Sequence, residues 1–181
     1  MKRFTLVMIA LLASFQLASA KSKFGKYTLE VGPEIALPMG DFSDVSGLGF
    51  GVFATAKYPV MPKLVATVTA AALYFLEKEQ SILGSTTKSQ YSGLPFVAGA
   101  RYYVMPALYV GGEVGFLTMT STVEVNIPGF ANVSASDNTT NLCFAPQVGY
   151  EVGKFCVSAQ YVIAGDFKFL GARVGYAIGG K

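Results

Sequence analysis

The sequence predicts an all-β fold: an eight-stranded antiparallel up-and-down transmembrane β-barrel, preceded by a cleaved signal peptide. Three features carry that prediction. Segments of about ten residues with period-2 hydrophobicity recur along the chain, as strands crossing a bilayer require. Within each segment the charges gather on one face and leave the other apolar. The connections between segments alternate between short and long.

The leader comes first. Lys2 and Arg3 form a positive region, Phe4 to Leu12 an apolar stretch, and Ala18-Ser19-Ala20 a small-x-small cleavage pattern. Residues 1–20 therefore read as a signal peptide and 21–181 as one β-barrel domain. The alternative, an uncleaved anchor, is disfavoured because the apolar stretch is short for a span. Without Lys2 and Arg3, twelve basic residues face eleven acidic ones, so the formal charge falls from +3 to +1. With no basic stripe to replace released counterions, no nucleic-acid partner is expected.

Beyond residue 20 the chain is apolar without being helical. Of its 181 residues 52% are hydrophobic and only 14% charged, where soluble domains carry about 25% charged residues. The longest apolar run, Leu64 to Leu76, is too short to cross a bilayer as a helix. Alternation instead marks strands over 26–37, 47–58, 63–76, 93–104, 108–119, 141–152, 155–164 and 168–178, with almost no helix among them.

Pro59-Val60-Met61-Pro62, Met105-Pro106-Ala107 and Gly153-Lys154 make tight connections. Between them lie longer polar segments, Pro38 to Ser46, Glu77 to Ser92 and Thr120 to Thr140; Gly165-Asp166-Phe167 is the one short exception. In an up-and-down sheet, alternate connections share an end. One rim then carries short turns and the other long loops, the asymmetry of bacterial outer-membrane barrels.

The charges decide which face is inside. Glu30, Glu34, Lys57, Lys63, Arg101, Glu113, Glu151 and Arg173 all fall on the mixed face, four acids against four bases. A Lys or Arg turned to lipid near the midplane costs about 2–4 kcal/mol, so this face must line the lumen. Glu30, Glu34, Arg101, Glu113, Glu151 and Arg173 form the expected lumen charge network. A hairpin at Met105-Pro106-Ala107 sets Arg101 opposite Gly111 and diagonal to Glu113, within reach of long side chains, so those two are expected to pair. Lys57 and Lys63 flank a turn, where snorkelling into water is the expectation. Glycine at alternate positions, as in Gly47-x-Gly49-x-Gly51, reads as the lining of a crowded lumen, because neither the spacing nor a following helix fits a dinucleotide fingerprint.

On the apolar face, Tyr27, Tyr58, Tyr102, Tyr150, Phe155 and Tyr176 cluster near the termini and short turns. They are the expected aromatic girdle at one membrane interface, with Tyr74, Phe96 and Phe116 serving the other. A soluble lipocalin-like carrier would put apolar residues inside and charge outside, and here would expose a very large apolar surface.

The chemistry the chain lacks bounds its activity. With no histidine there is no Ser-His-Asp or Cys-His nucleophile and no imidazole ligand. Two cysteines cannot complete a thiolate metal site alone. No enzyme, cofactor or metal is expected. Asp41 and Asp44 beside Phe42, with Glu77 and Glu79, could attract a cation, but solvated loop charge is the preferred reading. Cys156 should pair near Glu151, eight residues from Cys143, so no disulfide can form. The glycosylation-like Asn132-Val133-Ser134 and Asn138-Thr139-Thr140 are chance matches in polar loops.

Leu37-Pro38-Met39-Gly40-Asp41-Phe42, the following Gly-x-Gly-x-Gly strand and the aromatic-alternating last strand resemble the small eight-stranded outer-membrane β-barrel superfamily, of OmpX and OmpW type. The resemblance spans essentially the whole of 21–181. It implies residence in the cell outer membrane after export, contact with outer-membrane lipid, and delivery by periplasmic chaperones and the barrel-assembly machinery. Many such barrels end in phenylalanine; this chain ends Ile178-Gly179-Gly180-Lys181, leaving Tyr176 and Ile178 as substitutes. Enzymes resembling this fold, such as lipid A deacylases, palmitoyltransferases and aspartyl-histidine proteases, use a histidine that cannot be mapped here. The expected function is a monomeric, non-enzymatic outer-membrane barrel with a charge-filled, closed lumen and external loops for surface interaction. The alternative is an OmpW-like conduit for small hydrophobic compounds, with a cavity behind Phe53, Leu73, Phe75 and Phe169.

Overall fold

The computed structural model describes residues 27–82, 85–126 and 133–179; the expected leader lies outside them. The strands are β1 (Thr28–Pro38), β2 (Gly49–Met61), β3 (Leu64–Ile82), β4 (Ser85–Tyr103), β5 (Leu108–Asn126), β6 (Val133–Val152), β7 (Phe155–Ala164) and β8 (Phe167–Gly179). Each pairs antiparallel with the next, and β1 pairs with β8 to close the barrel. Closure leaves no edge within the wall, so the backbone groups there are satisfied between strands. Among the described residues no helix is long and apolar enough to cross a membrane.

The wall alternates as the sequence requires. Along β2 the outward set is Phe50, Val52, Ala54, Ala56 and Tyr58, and along β8 it is Leu170, Ala172, Val174, Tyr176 and Ile178; neither set contains a charge. Val52 is 63% exposed, whereas Phe53 beside it is 3% exposed and Thr55 fully buried. The core is therefore the lumen itself, and the outer surface is an apolar band suited to acyl chains. At the tight turns Gly153 and Gly165 both adopt φ of +61°, a left-handed conformation that glycine takes without steric cost.

One expectation needs correcting. The polar segments 77–92 and 120–140 are mostly strand: β3 and β4 continue to Ile82 and from Ser85, and β5 and β6 continue to Asn126 and from Val133. These are long hairpins standing beyond the apolar band. The side chains at 77–78 and 135–140 are all exposed, so no alternation of hydrophobicity marks them, yet Thr and Val suit extended backbone. Cross-strand hydroxyl contacts line one of them, Thr118 to Thr140 at 3.0 Å and Thr120 to Asn138 at 2.6 Å. The first polar segment contains a single turn of helix, α1 (Asp41–Val45), in keeping with the expectation of almost no helix. Gly40 precedes it with φ of +59°, and Ser43 donates to the Gly40 carbonyl through both its backbone N–H (2.9 Å) and its hydroxyl (2.6 Å).

Candidate functional site: the filled lumen

Within the apolar band every second residue points inward, so side chains from all eight strands meet in a narrow space. Near the short turns the filling is ionic. The Arg101 guanidinium donates from Nη1 and Nη2 to the two carboxylate oxygens of Glu30, at 2.9 and 3.4 Å. Lys57 Nζ lies 2.9 Å from Glu30 and 3.0 Å from Glu151, and Arg101 lies 3.6 Å from Glu151. The Tyr109 ring sits under Arg101, 4.6 Å from the guanidinium carbon to the ring centroid.

A second polar layer lies nearer the long hairpins. Arg173 Nε donates to Glu34 at 2.9 Å, and Gln160 Nε2 donates to the other Glu34 oxygen at 2.7 Å. Glu113 accepts from Thr67 (3.1 Å) and Thr69 (2.7 Å), and Thr69 also meets Thr55 at 2.9 Å. Gly99 lies opposite both Thr67 and Glu113; with no side chain there, the Glu113 carboxylate reaches over it. Space for the acids is made the same way on β8. A Cβ on Gly175 would fall 2.6 Å from Glu30 Cγ, and one on Gly171 2.8 Å from Glu34 Oε1. Breaking a buried pair by removing one partner costs about 3–5 kcal/mol, because the other charge is stranded.

Above these layers the lumen turns apolar. Phe75 and Phe169 are fully buried, their ring centroids 5.7 Å apart. Phe42, carried inward by α1, is 2% exposed. It meets Phe75, Tyr91 and Phe167 edge-on at 5.1, 5.4 and 5.3 Å, the geometry favoured by aromatic quadrupoles. The helix is also held from outside, where Lys78 Nζ donates to the Ser43 carbonyl. The loop thus places an aromatic ring across the hairpin end of the lumen.

The six residues expected to form the lumen network, Glu30, Glu34, Arg101, Glu113, Glu151 and Arg173, all face inward, but the pairing differs from expectation. Arg101 does not join Glu113. Its side chain leans toward Tyr109 near the short turns, whereas Glu113 starts two residues further toward the hairpins, opposite Gly99. Glu113 approaches Arg173 instead, at 3.6 Å. Lys57 does not snorkel: it is 8% exposed and joins Glu30 and Glu151, where two carboxylates compensate it better than rim water would. Lys63 is exposed at the rim, so four acids face three bases inside rather than four. Sequence reasoning missed Phe42, Tyr109 and Gln160 as parts of the filling. The available signal for Phe42 was a large aromatic residue isolated in a polar loop.

Tyr27, Tyr58, Tyr102, Tyr150, Phe155 and Tyr176 are all outward and 40–60% exposed at the short-turn end. Phe155 and Tyr176 stack edge-on at 5.3 Å, and the Lys154 ammonium lies 5.7 Å from the Tyr176 ring centroid. Cys143 and Cys156 are buried and unpaired. Carboxylate oxygens of Glu30 and Glu151 and the Cys156 sulfur lie within 4.8 Å of one another. Lys57 and Arg101 already occupy those carboxylates, and their charges disfavour a metal ion there. The loop acids Asp41 and Asp44 are exposed, whereas the Glu79 side chain and Asn132 lie outside the described residues.

No protein-family model and no curated protein matches the chain. Solved structures do. The chain is similar to Ail, the attachment invasion locus protein of Yersinia pestis, with a TM-score of 0.58 and 16% identity over 86% of this chain and 99% of Ail. Ail in complex with the heparin analogue sucrose octasulfate gives a TM-score of 0.56 and 14% identity, over 86% and 99%. A de novo designed transmembrane β-barrel gives 0.50 and 18%, over 87% and 98%. A natural attachment invasion locus protein and a designed barrel match alike, so the likeness transfers architecture and not activity. With its closed eight-stranded wall, apolar outer band and short-turn rim opposite long hairpins, the chain has the fold of the small eight-stranded outer-membrane β-barrels.

Proposed function

We propose that this chain is a non-enzymatic integral protein of the outer membrane whose lumen is closed and whose long hairpins serve interactions at the cell surface. The observation that carries the closed lumen is its continuous filling, from the Glu30–Arg101–Lys57–Glu151 cluster to the Phe42 stopper. A conduit for small hydrophobic compounds would need open space behind Phe53, Leu73, Phe75 and Phe169. All four are 3% exposed or less and packed, which favours the closed reading. The exposed hairpins, rich in Ser, Thr and Asn, supply the polar surface, and the name of Ail makes attachment the form of interaction to examine first. Delivery by periplasmic chaperones and the barrel-assembly machinery belongs to the same reading.

Two experiments test it. Cell fractionation with a heat-modifiability gel should place the protein in the outer membrane and show faster migration when unheated. In planar bilayers the purified protein should give no steady single-channel steps; regular steps would replace the closed barrel with a pore.

A further inference from the structure

Three polar atoms in the middle of the lumen have no hydrogen-bond partner within the protein: Glu113 Oε2, Arg173 Nη1 and Gln160 Oε1. Their residues are 1%, 3% and 4% exposed. Glu113, Gln160 and Arg173 are among the residues around one small cavity of about 10 Å³, whose largely apolar lining also includes Val97, Cys143 and Phe169. Buried polar groups are almost always satisfied, so three such atoms around one space are a site rather than scattered defects.

Neighbouring chemistry fixes what each atom offers. The Glu34 carboxylate only accepts, so the Gln160 amide must turn its Nε2 to Glu34 and its Oε1 away. Glu113 Oε1 takes both threonine hydroxyls, leaving Oε2 as a bare acceptor. Arg173 Nη1 is a donor 3.6 Å from that oxygen, too far for a direct hydrogen bond.

We propose that this cavity is a built binding site for one water molecule. Such a water donates to Glu113 Oε2 and Gln160 Oε1 and accepts from Arg173 Nη1. Three bonds are typical for buried water, and a cavity of about 10–15 Å³ is the minimum that holds one. A metal cation would face the Arg173 guanidinium, and a halide would face the Glu113 carboxylate; a neutral molecule able to donate twice and accept once fits the set. The bridged water unites two clusters that otherwise only approach each other, Glu34–Arg173–Gln160 on β1, β8 and β7 and Glu113–Thr67–Thr69–Thr55 on β5, β3 and β2. It sits beneath the aromatic stopper, held in place rather than passing through.

The test uses the full mature chain in detergent. A high-resolution crystal structure should show one density peak about 3 Å from each of the three atoms. An empty cavity, Glu113 and Arg173 closed into direct contact, or a peak with ion-like distances or anomalous signal would each overturn the proposal. Val97→Ile gives an independent sign. If it expels a bonded water and strands three polar atoms, the urea midpoint falls; if the cavity is dry, the added methyl fills it and the midpoint rises, which also overturns the site. Should Val97→Ile fail to fold, the density in the unmodified protein decides. Bilayer conductance reads the closed lumen separately, so either conclusion can fail without the other.

Discussion

Toward the short turns the lumen is occupied by Glu30, Lys57, Arg101 and Glu151; toward the long hairpins it is occupied by Phe42, Phe75, Phe167 and Phe169. Both halves solve one problem, filling the inside of a narrow barrel, with opposite chemistries. The ionic half is held by complementary charge in a space where water cannot compensate a lost partner. The aromatic half is held by volume and edge-on ring contacts, which degrade by degrees. The comparison teaches that a small barrel can be sealed by electrostatics or by packing, and that the two respond differently to substitution.

The largest expected effect falls in the ionic half. Arg101→Ala strands Glu30 and weakens the hold on Glu151, and should lower unfolding free energy by about 3–5 kcal/mol in lipid vesicles. Arg101→Leu combined with Glu30→Leu removes the charge and its principal partner together and leaves Lys57 with Glu151, so the double substitution should cost less than Arg101→Ala. If the double variant is the weaker one, complementary charge is not what holds this half. Turning to the outer face, Val52→Arg should cost about 2–4 kcal/mol; a neutral result would place that face in water and reverse the inside–outside assignment. In the aromatic half, Phe75→Leu keeps an apolar filling and should cost only about 1–2 kcal/mol. A loss as large as that of Arg101→Ala would erase the contrast between the halves. The smallest effect belongs to the hairpins, where Thr120→Val removes an exposed contact to Asn138 and should change stability by less than about 0.5 kcal/mol, as read by urea midpoint.

Legibility from the sequence varied along the same axis. The two faces of β2, β4 and β8 could be written out residue by residue, because period 2 is a local property of extended backbone and lipid forbids charge on one side. The hairpin extensions were hidden: the side chains at 77–78 and 135–140 are exposed on both faces, so no contrast in hydrophobicity separates strand from loop there. The Arg101–Glu113 expectation followed from sequence neighbours on adjacent strands, and failed because Arg101 leans toward Tyr109 and finds Glu30, 71 residues away, across the lumen. Lys57 misled in the same way. Near a turn a lysine ordinarily finds water, but here it finds two carboxylates, Glu30 diagonal to it on the neighbouring β1 and Glu151 from β6 across the lumen.

The amino-acid order by itself determined the strand count, the antiparallel sequence of turns, and the assignment of greasy and ionic faces, since each depends on residues close together in the chain. Only the closed tertiary structure decided which acid answers which base, that Phe42 returns from its loop to cap the mouth, and that Glu113, Gln160 and Arg173 enclose a common space. Some of these contacts cross the narrow tube, as Arg101 to Glu30 does, and others, such as Arg173 to Glu34, join neighbours that exist only because β1 closes on β8. Their partners are set by wall curvature and by the absence of side chains at Gly99, Gly171 and Gly175, which no local pattern encodes.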